Sequence, residues 1–281
     1  MQKIFLIFLL TITGVASVFC KKQKYPAPNP IPNPPPAVRE WKFEDSPVWA
    51  DEFNIAGAPD PAKWGYDVGG GGWGNNELQY YTNGLNSTVS NGTLKIVAKK
   101  DNSFGKDYTS ARMISKNKAD WLYGRFEIRA KLPRGRGSWP AIWMLPTDWE
   151  YGGWPNSGEI DIMEHVGYDQ NNVHISVHTK AYNHTLNTQK SANKFVSGAS
   201  DEFHIYRVDW ASYGIRGFID GEQIFEFVNL GGSDFWPFDK KFHMLFNIAV
   251  GGNWGGAQGV DDTIFPITLE IDYLKVYKFV R

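Results

Sequence analysis

Glu159-Ile160-Asp161-Ile162-Met163-Glu164 packs three carboxylates into six residues of an otherwise apolar, β-prone run. Side chains alternate across a strand, so Glu159 and Asp161 share one face while Ile160 and Ile162 turn to the other and into a core. Glu164, five residues on from Glu159, would fall on the core side of a regular strand. A β-bulge near Met163 adds one residue, resets the alternation and returns Glu164 to the face of the other two. Like charges held this close raise the pKa of at least one member. An ionised carboxyl beside a protonated one is the pair that cleavage of a glycosidic bond needs. With the bulge shortening the run and both glutamates leaning inward, the outer carboxyls are expected about 5–5.5 Å apart, the retaining spacing, and not the roughly 6.5 Å or more of an inverting pair. A solvated acidic edge strand or a calcium site would use the same residue types.

Outward from this stretch the chain reads as strands separated by Gly- and Asn-rich turns. Period-two patterning runs through L-K-I-V-A (94–98), G-R-F-E-I-R-A (124–130), V-H-I-S-V-H (173–178), H-I-Y-R-V-D-W (204–210), I-R-G-F-I-D (215–220) and L-E-I-D-Y-L-K-V-Y (269–277). Asp220-Gly221 between two apolar runs predicts a tight hairpin. No long helical pattern appears. Many short strands without helices predict an all-β fold, a β-sandwich of jelly-roll type with a concave substrate cleft.

The N-terminus has a separate character. A short basic start at residues 1–3, an apolar run at 5–19 and then Cys20, the single cysteine, predict a signal peptide over 1–19. A lone Cys at its end resembles the lipidated residue of bacterial lipoproteins, which makes Cys20 a lipidation candidate and the protein an exported cell-envelope lipoprotein; plain secretion is the alternative. Seven of the eleven residues from Pro26 to Pro36 are proline, an extended linker within residues 20–40. Residues 41–281 have no second break of this kind and read as one catalytic domain. A formal charge of -1 gives no footprint for nucleic acid, and any membrane contact is expected only through the lipid. Twelve Trp and thirteen Tyr exceed ordinary core needs and suit a ligand with flat faces such as a sugar.

Two motifs mislead. Gly69 to Gly74 satisfies G-x-G-x-x-G, but no helix pattern follows it. His174 and His178 are four apart, yet they alternate with Val173, Ile175 and Val177 as a strand does, so a zinc helix is not predicted. No G-x-S-x-G elbow is present.

With its flanks, G-E-I-D-I-M-E (158–164) closely resembles the active-site strand of glycoside hydrolase family sixteen. W-A-D-E-F (49–53), G-W-G-N-N-E-L-Q-Y-Y (72–81), G-S-W-P-A-I-W-M-L-P (137–146) and F-N-I-A-V-G-G-N-W (246–254) match it in order. The second of these is similar to bacterial laminarinases, which implies hydrolysis of internal β-1,3 bonds of glucans. A mixed-linkage β-1,3-1,4-glucan, transglycosylation, and a noncatalytic glucan-binding role are the alternatives; sulfated galactans would favour a more basic cleft. The resemblance implies Glu159 as nucleophile, Glu164 as acid/base and Asp161 as their proton-sharing neighbour, with no catalytic cofactor and a monomer acting on polysaccharide. It implies Asn76, Arg112 and His178 as ligand contacts, with a structural ion pair the alternative for Arg112. Trp139 and Trp143, four apart on one strand face, and Trp254 in a glycine-rich loop are candidate sugar platforms, with core packing the alternative for the first two. His174 is expected to be a satisfied structural residue. The family also implies a structural calcium far from the chemistry, held by Asp272 with Glu52 and Gly92 as carbonyl donors.

Overall fold

Period-two runs pair into two stacked antiparallel layers, with one short parallel pairing at the rim, in this computed structural model, which describes residues 40–280. The expected signal peptide over 1–19, Cys20 and the proline-rich stretch expected to be a linker lie outside the described residues. One layer has ten strands; the other has eight and runs, from one edge, Lys190–Phe195, Asn172–His178, Glu159–His165, Ser138–Pro146, Phe242–Val250, Arg112–Ile114 and Gly65–Asp67, with Asp120–Trp121 beside Phe242–Val250. The only helical elements among the described residues are two 3-10 turns. No helix there is long and apolar enough to cross a membrane.

Alternation decides what each layer shows to the other. Ile142, Met144, Ile160, Ile162, Val173, Ile175, Val177, Phe246 and Ile248 turn inward and meet Leu94, Ile96, Phe126, Ile128, Tyr206, Val208, Trp210 and Leu269 in one buried core. Burying such side chains stabilises the sandwich by roughly 1.5–3 kcal/mol each before conformational entropy is set against it. The opposite face of the eight-stranded layer is thereby left to Trp139, Trp143, Glu159, Asp161, His174, Ser176, His178 and Asn247, and it forms the cleft. The predicted hairpin is present: Asp220 and Gly221 both have positive φ, 49° and 82°, between the paired strands Gly214–Ile219 and Glu222–Val228. The Gly69–Gly74 segment opens no helix and is a loop with positive φ at Gly69, Gly72 and Gly74.

The proposed calcium residues are differently engaged. The carboxylate of Asp272 is 2.5 Å from Arg129 Nη1, and that of Glu52 is 3.1 Å from Lys275 Nζ. Glu52 follows the strand end that pairs with Leu274, and Gly92 lies two residues before Leu94, the partner of Ile271. The backbone therefore gathers the three, but the one carboxylate meant for the ion already faces a guanidinium.

Candidate active site

The acidic strand lies inside the sheet, between the histidine strand Asn172–His178 and the tryptophan strand Ser138–Pro146, which removes the edge-strand reading. Asp161 stands opposite Ser176 and Glu164 opposite His174, three residues against two. On the other side Trp143 faces Asp161 and Ile142 faces Met163. The surplus residue thus falls at Ile162–Met163, and both of these side chains are fully buried in the core. The bulge has the predicted place and effect: Glu159, Asp161 and Glu164 line one cleft of about 740 Å³.

The two glutamates are each held by a tryptophan donor. Trp154 Nε1 donates to Glu159 Oε2 at 3.0 Å, and Trp139 Nε1 donates to Glu164 Oε1 at 3.0 Å. His178 Nε2 lies 3.3 Å from Asp161 Oδ2 and 3.8 Å from Glu159 Oε1. Burial raises the pKa of all three carboxyls, and a like-charged neighbour adds to it for Glu159 and Asp161. Glu159 is driven well above the usual range, first by burial and then by Asp161, with His178 pulling the other way. Asp161 is driven well above it by burial and by Glu164, against a hydrogen bond with Glu159. Glu164 is also raised by burial, opposed by His178 and by the Trp139 N–H. Three acids that resist full ionisation share protons and titrate as a group. Glu159, Asp161 and His178 also bring one ligand atom each to within 4.8 Å of one another, the only such group of three among the described residues.

The sugar-binding candidates divide. Trp139 and Trp143 both line the cleft, so neither is lost to the core. Trp143 donates its indole N–H to Asn247 Oδ1 at 2.7 Å. Arg112 is seated between the rings of Trp73 and Trp143, 4.7 Å from each centroid, and is paired with Asp67 at 3.0 Å. It is at once an ion-pair partner and a cleft residue. Trp254 packs edge-on against both Trp139 and His174. His178 lines the cleft between the acids and the rings of Trp154 and His184.

Two expectations are corrected. Asn76 stands behind the cleft wall and not in it: from a left-handed backbone, φ 56°, its Nδ2 donates to Oδ1 of the cleft residue Asn253 at 2.8 Å, while Asn75 and Glu77 line the cleft. His174 is not a satisfied structural residue: its Nε2 is buried without a partner, and the ring belongs to the cleft wall. Sequence reading passed over Trp73, Glu77, Trp154, His184 and Asn247 as individual site residues. Trp154, five residues before Glu159 on a Trp-Pro turn, was the one with a local signal.

Comparison with known proteins agrees with this geometry. Residues 74–275 match glycosyl hydrolases family 16. A β-glucanase of Rhodothermus marinus is 53% identical over 244 residues, covering 83% of this chain and 85% of its own. A glucan endo-1,3-β-glucosidase of Cryptopygus antarcticus is 38% identical over 248 residues, covering 81% and 90%. The X-ray structure of the laminarinase from Rhodothermus marinus superimposes with a TM-score of 0.82 at 52% identity, over 84% of this chain and 98% of that one. On the match of family, fold and acidic strand together, the chain belongs to glycosyl hydrolase family 16.

Proposed function

We propose that the protein is a retaining endo-hydrolase of β-1,3-linked glucans such as laminarin. The observation that carries this is the bulge-corrected strand on which Glu159 and Glu164 enter one cleft, each held by a tryptophan N–H.

Glu159 is the nucleophile. Its Oε2 accepts from Trp154, which fixes the carboxylate plane and leaves Oε1 for attack on the anomeric carbon. As that C–O bond forms, the glycosidic C–O bond breaks, its electron pair stays with the leaving oxygen, and Glu164 gives that oxygen a proton. Burial raises the pKa of Glu164 and so favours the protonated form that the first step requires. In the second step water attacks the glycosyl-enzyme carbon from the freed side, passes its proton to Glu164, and Glu159 departs as the carboxylate. Asp161, between them, takes up the proton shared with Glu159 and so lets the nucleophile ionise without stranding another buried charge. Trp139, Trp143 and Trp254 offer apolar faces to pyranose C–H surfaces, and Arg112 and His178 offer donors to hydroxyls.

The family likeness supports the substrate class: the relatives named above are a β-glucanase, a glucan endo-1,3-β-glucosidase and a laminarinase. Export, a lipid on Cys20 and a monomer at the cell envelope complete the reading, supported by the apolar N-terminus ending in the single cysteine. A structural calcium at Asp272 is supported by the backbone convergence of Glu52 and Gly92; binding would exchange the Arg129 contact for the ion.

Incubation with laminarin, lichenan, agarose and carrageenan should release sugar fastest from laminarin, with the β-anomer formed first by NMR. Sugar bound but not released from every β-glucan would instead indicate a recognition protein. Glu159→Gln should lower turnover by at least a thousandfold and yet raise the melting temperature at pH 7 by several degrees. The sign follows from linkage: a carboxyl whose folded pKa is raised costs nothing below its unfolded value of about 4.3 and destabilises the fold as pH rises through the folded value. The gain should therefore shrink to nothing near pH 4, and a melting temperature unchanged at pH 7 would contradict the burial account. Mass spectrometry of the mature N-terminus should find diacylglycerol on Cys20; a free thiol there counts against the anchor. Calcium added after EDTA treatment should raise the melting temperature; no shift means Arg129 alone holds Asp272.

A further inference from the structure

Glu77 is a buried carboxylate, 7% exposed, that lines the cleft and that no chemical step above uses. Two hydrogen-bond relays end on its Oε2. In the first, Trp143 Nε1 donates to Asn247 Oδ1 at 2.7 Å, Asn247 Nδ2 donates to the Tyr81 hydroxyl at 3.1 Å, and that hydroxyl donates to Glu77 at 3.0 Å. In the second, the Val250 backbone N–H donates to Gln79 Oε1 at 2.7 Å, and Gln79 Nε2 donates to the same Glu77 oxygen at 2.7 Å.

The direction of both relays is forced. An indole N–H and a backbone N–H can only donate. Asn247 must therefore turn its oxygen to Trp143 and its amide N–H to Tyr81, and Gln79 must turn its oxygen to Val250. Each relay then presents a donor at its far end, and only an acceptor there closes both. All the linking groups, Tyr81, Gln79 and Asn247, are themselves buried, so water is a poor substitute.

The strand carrying Asn247 also pairs with the strand of Arg112, residue to residue, and the Arg112 guanidinium lies over the Trp143 ring. Around Glu77 the backbone is stitched to the loop that bears Trp254: Glu77 bridges Gly251, Leu78 N donates to Val250 O, and Asn253 N donates to Asn75 O. We propose that Glu77 is a positioning residue for the sugar-binding flank of the cleft: as common terminal acceptor of the two relays it fixes the ring plane of Trp143 and, through that ring, the seat of Arg112. The inference rests on the reading of Trp143 and Arg112 as glucan contacts.

The test separates binding from turnover. In a Glu159→Gln background, which binds without cleaving, calorimetry with a β-1,3-linked glucotetraose gives Kd directly; the same substitutions in the active enzyme give kcat and KM on laminarin. Glu77→Leu, which removes the acceptor, should raise Kd and KM about tenfold or more with kcat within threefold. Glu77→Gln keeps an oxygen able to accept both donors and should recover most of that loss. Tyr81→Phe cuts only the Trp143 relay, and it should raise Kd about fivefold, which keeps the test open if Glu77→Leu does not fold. An unchanged Kd in Glu77→Leu and Tyr81→Phe would overturn the proposal, as would Glu77→Gln as damaging as Glu77→Leu, or a fall in kcat at constant Kd. Should the active enzyme fail to hydrolyse any glucan while these Kd effects hold, the hydrolase reading falls and the positioning role stands.

Discussion

The surplus residue at Ile162–Met163 is the constraint on which the rest of the site depends. A strand with strict alternation can show two of the three acids to the cleft, but Glu164 would then enter the core, where an unpaired carboxylate is prohibitively costly to bury. The bulge resolves this by giving the core two consecutive side chains, Ile162 and Met163, and both are fully buried. Apolar packing on one face thus sets carboxyl geometry on the other. The neighbouring strands supply the rest of the frame, because a bulge on an interior strand is held on both sides by ladders that resume in register beyond it.

A site built this way works against the stability of its own sheet. Three carboxyls sit on a buried floor, each with its pKa raised by burial first and by a like-charged neighbour in two of the three. Opposing them are His178, the N–H groups of Trp154 and Trp139, and the more distant Arg112. None of these is a close, full ion pair with Glu164, which is consistent with a group that has to carry a proton and give it up. The sandwich core, with its long inward-facing ladders, supplies the stability that offsets the strain of the floor.

Legibility in the sequence tracked how local the determining physics is. The strands, the Asp220–Gly221 hairpin and the bulge followed from period and turn chemistry within a few residues. Glu159, Asp161, Glu164, Trp139, Trp143 and His178 followed because alternation assigns a face. Asn76 failed for a reason of the same scale: a left-handed residue in a loop breaks alternation, and the wall passes to Asn75 and Glu77. His174 was read as satisfied because its strand face was known but its partners were not; the strand opposite offers it Glu164 across the ladder and Trp254 from a distant loop, and neither bonds Nε2. Glu77 is the clearest case of non-local meaning. Its relay partner Asn247 is far away in the chain, and the polarity that makes it necessary exists only once the two segments meet.

The twelve tryptophans take on a second role in this light. Aromatic excess suggested flat plates for sugar rings, a role that uses only the face of the indole. In the folded cleft the edge is used as well: Trp139 donates to Glu164, Trp154 to Glu159 and Trp143 to Asn247. A ring that stacks on a pyranose and whose N–H holds an acid links the two events, because pressing a sugar on the ring restricts the same torsions that aim the N–H. Trp143 has no acid to hold, and its N–H is instead led through Asn247 and Tyr81 to a buried carboxylate outside the chemistry. Trp139 and Trp154 are thus tied to the reacting groups, while Trp143, which faces Asp161 across the ladder, is tied to the scaffold.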